Sequence, residues 1–586
     1  GRDLSQALAA LQEKDIVVPG EGSRLAGEPE LAFKHVLIRD VAYGMLPKAV
    51  RARKHFAVGS FVEERAGDRT DEVVPLLAEH YGRAAALGRE ATLEASELER
   101  IERKALHFLE AAGDAALTFY SNAEAFAHYD SARELARRHD PAAFARAGEK
   151  QGDAALRLGR VDAAIEVWEE CLEHHRGEEN LERLADLYRK IGSGHWHRGD
   201  RRAAIEHHQK GINLLKDGRP CIELVRLYEE AAWLYMQTGD NMLAIYASEK
   251  ALRLAERMGE TRAASRAHGI FGRVFGRIGD MAKARENLER AVELARGSDE
   301  GETILALLAL GQHLEVSEAD YEKAQSAYAD ALALAEEIGD VPSQVELHAA
   351  LGWLALYRAD WDGMRESSDA SARLSEQQGL AGKLCLPYVL RGVLRWREGR
   401  FDESVRLFRQ AHELAEQVGW SEAAFSALFA LAIALRDQAD FAGAVTTLGQ
   451  ALDVCERAGL IAQSIQATAA RAEAYAMSGR EEQGREAAAE AVELAERLHY
   501  PVGQAAALQA DGFTSGDLEK LKEARRAWLA IGRPLDAARV RLLAGRLARD
   551  IGSELAPTIL EEAAADYDAL AVAPLAQRAR ELLAIG

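Results

Sequence analysis

A two-residue turn recurs at a constant interval through the middle of this chain, with its first residue at positions 159, 199, 239 and so on to 479. Its nine copies are Gly159-Arg160, Gly199-Asp200, Gly239-Asp240, Gly279-Asp280, Ala319-Asp320, Ala359-Asp360, Gly399-Arg400, Ala439-Asp440 and Gly479-Arg480. Glycine just past a helix takes the left-handed conformation that ends it, and aspartate is a good N-cap for the next helix. An unvarying spacing indicates a repeat array, in which each unit buries its apolar face only against its neighbours.

A second, weaker break lies midway between successive turns. It is marked by glycines at Gly259, Gly339, Gly379, Gly419 and Gly459. Each unit is therefore predicted to hold two antiparallel helices of about four turns, joined by short loops.

Small residues occupy further columns in the same register. The first column holds Gly152, Gly192, Ala232, Gly272, Gly352, Gly392, Ala432 and Ala472, and is interrupted by Gln312, which has Gly311 beside it. Two other columns of small residues begin at Ala164 and Cys171. Small side chains allow two helix backbones to approach closely, so these columns predict where the helices of each pair cross.

Small residues at three positions around a Gly-Asp turn resemble the tetratricopeptide repeat, whose common form has a shorter period of about 34 residues. The resemblance predicts an all-α chain, folded as a tetratricopeptide-like right-handed superhelical solenoid of roughly ten to twelve helical hairpins. We expect repeats over 105–500, with the strict period beginning at about residue 145, and degenerate repeats with a terminal cap over 501–586.

Composition excludes several classes of protein. The formal net charge of −22 argues against a general nucleic-acid binder, which needs a basic face. No apolar run is long enough for a membrane span. The four cysteines are far apart and form no metal or redox motif, which favours reduced thiols in a cytoplasmic protein.

The segment 1–33 does not follow the repeat. A short amphipathic helix over 4–14 is followed by two predicted strands, Ile16-Val17-Val18 and Leu31-Ala32-Phe33, around a tip rich in proline, glycine and glutamate. A helix followed by a two-stranded wing is typical of the last half of a winged helix. We therefore predict a winged-helix remnant over 1–33 and a helical connector over 34–104.

The junction with the connector reads Phe33-Lys34-His35-Val36-Leu37-Ile38-Arg39-Asp40-Val41-Ala42-Tyr43, and the connector later contains Leu76-Leu77-Ala78-Glu79-His80-Tyr81. These segments resemble the junction between the ATPase module and the repeat arm in signal-transduction ATPases with numerous domains. That family includes large bacterial transcriptional regulators and chains with a nucleotide-cyclase domain. The run Ala527-Trp528-Leu529-Ala530-Ile531-Gly532-Arg533-Pro534 is similar to the degenerate terminal repeats of the same family.

No Gly-x-x-x-x-Gly-Lys-Ser/Thr loop occurs in the sequence, and no catalytic constellation stands out. We therefore expect no catalytic residue, cofactor or metal in this chain. Because the chain begins with Gly1 instead of methionine, we expect it to be part of a longer protein whose ATPase or cyclase residues lie upstream.

The first helices of stacked units line the concave face of tetratricopeptide arrays, and aromatic and arginine side chains there are the types that dominate binding hot spots. By repeat position, that face carries Lys190, Trp196, Arg226, Trp233, Arg266, Arg273, Arg277, Trp353, Tyr357, Trp396, Arg397, Phe429 and Arg436. Arginines along one inner face of an acidic protein favour an acidic or carboxylate-bearing ligand. The alternative is that the tryptophans pack between units and the arginines pair with neighbouring glutamates.

The resemblance implies a sensor and regulatory arm of a larger cytosolic signalling ATPase, which binds a protein, peptide or effector in its groove and contacts the ATPase module of the same chain. Two alternatives remain open. One is a free-standing scaffold that gathers proteins by their peptide tails. The other is a receptor for a small inducer, which a compact pocket of tryptophan and arginine would favour over a long groove. None of these functions involves nucleic acid or a membrane.

Overall fold

A computed structural model of the protein describes residues 4–19, 31–118, 121–137, 140–176 and 180–584. Residue contacts divide the chain into two compact units, Gly1–Gly211 and Ile212–Gly586. None of the described helices combines the length and the apolar character needed to cross a membrane.

Unit 1 begins with a helix and a two-stranded antiparallel sheet, in which Val17 pairs with Phe33. The helix is α1 (Leu4–Glu13), and the strands are β1 (Val17–Pro19) and β2 (Leu31–Phe33). The predicted helix and strands are thus present, and their assignment to a winged-helix remnant stays a prediction. The tip of the wing, 20–30, and Gly1 lie outside the described residues.

The rest of unit 1 is helical. Its helices are α2 (Val36–Gly44), α3 (Lys48–Ala66), α4 (Val74–Glu90), α5 (Ala95–Thr118), α6 (Asn122–Ala136), α7 (Pro141–Arg157), α8 (Val161–His175) and α9 (Leu181–His197), with a 3₁₀ segment at Gly67–Val73. Helix α10 (Arg201–Leu215) contains the division between the units. Tyr81 and Phe108 stack with ring centroids 5.3 Å apart in the buried core formed by α4 and α5.

Unit 2 continues the alternation of first and second helices to its end. Its helices are α11 (Ile222–Gln237), α12 (Asn241–Met258), α13 (Thr261–Arg277), α14 (Met281–Ala295), α15 (Glu300–His313), α16 (Tyr321–Glu337), α17 (Val341–Tyr357), α18 (Trp361–Gln377), α19 (Cys385–Arg397), α20 (Phe401–Gln417), α21 (Ser421–Asp437), α22 (Phe441–Ala458), α23 (Ile461–Met477), α24 (Glu481–Leu498), α25 (Pro501–Ser515), α26 (Leu518–Ala530), α27 (Pro534–Asp550), α28 (Ala556–Ala569) and α29 (Ala573–Ala584). A π-helical segment lies at Leu314–Glu318 and a 3₁₀ segment at Ala381–Leu384. The chain is an all-α solenoid of tetratricopeptide type.

The predicted turns adopt the predicted conformation. All nine first residues of the turn have positive φ, including the alanines Ala319 (φ 55°), Ala359 (φ 58°) and Ala439 (φ 64°). An L-residue pays steric energy in this region that glycine does not. The following aspartate accepts a hydrogen bond from the backbone N–H three residues on in the turns of Asp200, Asp280, Asp320, Asp360 and Asp440.

The columns of small residues lie where paired helices cross. A Cβ on Gly272 would come within 2.4 Å of Leu288 Cγ, and a Cβ on Gly392 within 2.4 Å of Phe408 Cε1. The interruption at Gln312 has a structural cause. Gly311 takes the crossing position against Tyr328, and the π-helical segment that follows absorbs the one-residue offset before the next turn.

The first helices form the inner side of unit 2. Successive first helices contact one another, as α13 does with α11 and with α15. Successive first helices lie closer together than successive second helices do. Elements on the inside of a curved stack lie closer together than those on the outside. The inner face therefore presents the helices on which the sequence placed most of the candidate binding residues.

Candidate functional site

Ion pairs between successive first helices line the inner face of unit 2. Arg266 lies between two carboxylates, with Nε 2.7 Å from Glu302 Oε2 and Nη1 3.9 Å from Glu229 Oε2. Buried Arg436, on a later first helix, forms a pair of the same type, with Nη1 2.6 Å from Glu473 Oε2. These two arginines hold neighbouring repeats together, which is the use that the alternative interpretation of the sequence gave them.

The same type of contact occurs within unit 1. Lys190 Nζ lies 2.9 Å from Asp153 Oδ2, on the preceding first helix. Trp196 is half-buried, and the guanidinium of Arg201 lies 5.8 Å from its ring centroid. Both predicted residues of this unit therefore have contacts within the fold.

Unit 2 also contacts itself over long distances in sequence. Arg277 Nη1 donates to the carbonyl oxygen of Ala458 over 2.9 Å, at a separation of 181 residues. Tyr500 Oη donates to the carbonyl oxygen of Gly276, across 224 residues. Separations of this size correspond to about five repeats, so each turn of the stack returns to touch the one before it. We call these links the interturn contacts.

Three predicted residues belong to the interturn contacts. Arg277 contributes Nη1, as above, and its Nη2 lies 3.3 Å from Glu422 Oε1. Arg397 donates from Nε to the carbonyl oxygen of Ala571 over 2.9 Å. Tyr357 is covered by the guanidinium of Arg533, which lies 3.8 Å from its ring centroid.

A buried carboxylate organises the surroundings of Tyr357. Glu315, within the π-helical segment, accepts hydrogen bonds from Tyr328 Oη at 2.6 Å and Tyr357 Oη at 3.1 Å. Burial raises the pKa of Glu315, whereas the tyrosine hydroxyls and Arg533 act to lower it. Arg533 in turn donates from Nε to Tyr321 Oη over 2.6 Å. This cluster ties the π-helical segment to the loop before α27.

The remaining predicted residues differ in burial and in the contacts that they make. Trp396 is buried and donates from Nε1 to Asp437 Oδ2 over 3.0 Å. Half-buried Phe429 stacks on Phe425, with centroids 5.6 Å apart, and half-buried Trp353 lies 6.3 Å from the ring of Tyr357. Trp233 is half-buried and Arg226 is exposed, with Nη1 3.6 Å from Glu223 Oε1.

Arg273 differs from the other predicted cations. It is half-buried on α13, and it has neither a hydrogen bond nor an ion pair within the part of the chain that the structure describes. Burial lowers the pKa of its guanidinium, while the carboxylates of Glu422 and Glu346 act to raise it. Glu422 and Glu346 are themselves engaged, by Arg277 and by Lys383. Arg273 is thus a partly desolvated cation with no partner of its own among the described residues.

Sequence reasoning foresaw glutamate partners for the inner-face arginines but named none of these carboxylates. Glu229, Glu302 and Glu473 are buried, and burial raises the pKa of Glu229 to about 7. Gln509 donates to Glu473 Oε1 over 2.6 Å. The available signal was the spacing: partners on successive first helices lie 36 or 37 residues apart. No group of three His, Cys, Asp or Glu side chains within the described ranges is placed to hold a metal ion.

Comparisons with known proteins agree with the helix pairing. Models of the tetratricopeptide repeat match residues 265–297 and 384–457, so these segments are tetratricopeptide repeats. Comparison with curated proteins gave no match.

Several solved structures are similar in fold. A Rap protein complexed with competence and sporulation factor is 12% identical, with a TM-score of 0.46, over 60% of this chain and 99% of that chain. Aspartyl phosphate phosphatase F from Bacillus subtilis is 13% identical, with a TM-score of 0.41, over 58% and 91%. The Rap conjugation gene regulator of plasmid pLS20, in complex with the Phr* peptide, is 14% identical, with a TM-score of 0.38, over 57% and 96%.

Proposed function

We propose that this chain is a non-catalytic binding module, and that the inner face of unit 2 takes an acidic segment of a protein or peptide. Arg273 carries the proposal. Other inner-face cations have partners within the fold, as Arg266 and Arg436 do, whereas Arg273 has none among the described residues. A ligand carboxylate at Arg273 would supply the missing counter-ion.

The energetics favour an anionic ligand at this position. Removing a charged group from water without pairing it costs free energy, and a hydrogen-bonded counter-ion recovers part of that cost. A guanidinium presents a planar fork of donors that matches a carboxylate with two parallel hydrogen bonds. Glu346 and Glu422 lie near Arg273 but are held by Lys383 and Arg277, so a ligand carboxylate would not have to displace a salt bridge of Arg273 itself.

We further propose that the module is the sensor arm of a larger signalling ATPase. The family resemblance of the Phe33–Tyr43 segment supports this role, and so does its exposure. Helix α2 has no buried residue, and Leu37, Val41 and Met45 are 74%, 65% and 79% exposed. A contiguous exposed apolar segment is typical of an interaction surface. Ligand binding at the inner face would then bias an attached nucleotide switch, provided that its two states differ in affinity for the ligand.

The coding sequence upstream of Gly1 tests the larger context. We expect an open reading frame that encodes a Gly-x-x-x-x-Gly-Lys-Ser/Thr loop, the phosphate-binding element of such ATPases. A start codon within a few residues of Gly1 would contradict the sensor-arm role and favour the free-standing scaffold.

A peptide array tests the binding role. The full chain is applied to peptides of equal length that are acidic, neutral or basic, at two salt concentrations. We expect selective retention of acidic peptides, and a roughly tenfold loss of affinity in Arg273→Ala, since a hydrogen bond to a charged group contributes about 1.5–3 kcal/mol. The matched control is Arg290→Ala, an exposed arginine on the second helix α14. Equal binding of all peptide classes, or equal loss in both variants, would refute the inner-face assignment.

The interturn contacts favour a second candidate, the small-molecule receptor. Contacts such as Arg277 to Ala458 join successive turns of the stack, which a long open groove does not require, and a compact site suits a small ligand. Short dicarboxylates are the probe for this alternative. If glutarate binds, if its binding requires Arg273, and if acidic peptides are not retained, the small-molecule receptor is favoured over the peptide-binding module.

A further inference from the structure

A cleft opens on the second-helix side of unit 2, between α18 and α20, with α19 beneath it. Its volume is about 500 Å³, and it is lined by Arg365, Asp369, Arg391, Leu394, Arg395, Glu403, Arg406, Leu407 and Gln410. We propose that this cleft binds a small phosphate compound. This site is separate from the proposed ligand site at Arg273, because none of its lining residues is among the candidate binding residues of the inner face.

The lining is basic although the protein is acidic. Four arginines and two carboxylates line the cleft, and Glu398, just outside the lining, pairs with Arg365 and Arg395, on a chain with a formal net charge of −22. Positive charge concentrated in a concave surface focuses the potential and attracts anions. The cleft is therefore a local exception to the charge of the whole chain.

Two of the four guanidinium groups do not form close ion pairs. Arg406 is exposed and has neither a hydrogen bond nor an ion pair among the residues that the structure covers. Among the described residues, Arg365 pairs only with Glu398, whose Oε1 lies 3.6 Å from Nη2. By contrast, Arg391 Nη2 lies 3.0 Å from Asp369 Oδ1, and Arg395 Nη1 lies 2.8 Å from Glu398 Oε2. An incoming anion would meet available donors on two sides of the cleft.

The repeat itself does not require these arginines. Forty residues before and after Arg365 lie Gln325 and Val405, and Leu351 and Leu431 lie at the same distances from Arg391. The corresponding residues are Ala355 and Leu435 for Arg395, and Glu366 and Thr446 for Arg406. The neighbouring repeats therefore stack with apolar, polar or acidic side chains at the equivalent positions. A structural role common to all units cannot explain why four arginines gather at this one junction.

The charge of the cleft selects phosphate over carboxylate. A phosphate monoester carries about −1.5 to −2 charges at pH 7 and three acceptor oxygens. It can therefore bind Arg406, which has no partner among the described residues, and at the same time Arg365, which is only loosely paired with Glu398. A single carboxylate carries one charge and satisfies one arginine. The volume is large enough for the phosphate together with a small organic group.

Isothermal titration of the full chain tests the site with three probes: inorganic phosphate, phenyl phosphate and benzoate, at constant ionic strength. We expect saturable binding of a phosphate probe, and binding of benzoate weaker by roughly tenfold or more. Tighter binding of phenyl phosphate than of inorganic phosphate identifies a monoester as the ligand, and the reverse order identifies free phosphate. Equal affinity for phenyl phosphate and benzoate would overturn the choice of ligand class.

Arg406→Ala is the decisive variant, because the side chain is exposed and unpaired among the described residues, and its loss leaves the helix packing intact. We expect it to weaken phosphate binding by roughly tenfold. Arg409→Ala is the matched control, since Arg409 is an exposed arginine on the same helix outside the cleft lining. Equal weakening in the two variants would show diffuse charge attraction in place of a site, and no saturable binding to the wild-type chain would refute the proposal outright.

Discussion

The indole Nε1 of Trp361 donates a hydrogen bond of 2.7 Å to the carbonyl oxygen of Leu570, which lies 209 residues further along the chain. Repeat arrays derive most of their stability from contacts between neighbouring units. Unit 2 has, in addition to these neighbour contacts, contacts between repeats that are about five repeats apart. Unit 2 is therefore expected to unfold more cooperatively than a stack held together by neighbours alone.

Arg533→Ala tests the contribution of the interturn contacts to stability. The buried guanidinium donates to Tyr321 Oη and covers the ring of Tyr357, so its removal leaves buried polar atoms without partners. We expect a loss of about 2–4 kcal/mol in the free energy of unfolding, measured by urea denaturation. The control is Arg526→Ala, an exposed residue of α26. Coincident denaturation curves for the two variants would show that the interturn contacts add nothing to stability.

A pair of glycines on α13 tests the helix-crossing register. A Cβ on Gly272 would lie 2.4 Å from Leu288 Cγ and 3.0 Å from the carbonyl oxygen of Ala284, whereas a Cβ on Gly269 would meet nothing within 4 Å. We expect Gly272→Ala to destabilise the chain by about 1–3 kcal/mol and Gly269→Ala to stabilise it by about 0.5–1 kcal/mol, in thermal unfolding. Changes of the same sign would contradict the close approach of α13 and α14.

The three turn alanines test the left-handed conformation. Ala319, Ala359 and Ala439 have φ between 55° and 64°, a region that glycine adopts more readily. After allowance for the greater freedom of glycine in the unfolded chain, each change to glycine is expected to stabilise by about 0.5–1 kcal/mol. Ala333→Gly, at an exposed site within α16, should instead destabilise by about the same amount. Melting temperatures that fall in all four variants would be inconsistent with strain at the turns.

Glu229 gives stability a dependence on pH. Burial, and then the neighbouring Glu302 carboxylate, raise the pKa of Glu229 to about 7 from its ordinary value of 4.5, although Arg266 opposes the shift. Because the folded pKa exceeds the unfolded one, folding takes up a proton between these values, and stability falls as pH rises from about 4.5 through 7.

Glu229→Gln removes this titration. At pH 8 we expect the variant to be more stable than the wild type by up to about 3 kcal/mol, and near pH 4 we expect the two to be equal, because both side chains are then neutral. Thermal unfolding at the two pH values measures the difference. The exposed Glu286→Gln serves as control. A difference between wild type and variant that does not change with pH would contradict the raised pKa.

The sequence predicted the parts of the fold that depend on nearest neighbours. The helix pairs, the left-handed turns with their aspartate caps, the crossing glycines and the two short strands all follow from local conformational preference and side-chain volume. The resemblance to tetratricopeptide arrays placed the first helices on the inner face, and the repeat register then assigned the candidate residues to those helices. Each of these features is decided within about one period, so a single sequence contains the information.

The tertiary structure alone decided which side chains of the inner face hold the fold together. Arg277 and Arg397 bond to carbonyl oxygens 181 and 174 residues away, and Tyr357 lies under Arg533, whereas Arg273 keeps no partner within the described chain. The physical reason is that the meeting of distant units depends on a small rotation between neighbours, accumulated over about five repeats. Residue types at the repeat spacing reflect contacts between neighbouring repeats but not the accumulated angle, so only the tertiary structure shows where the stack returns to touch itself.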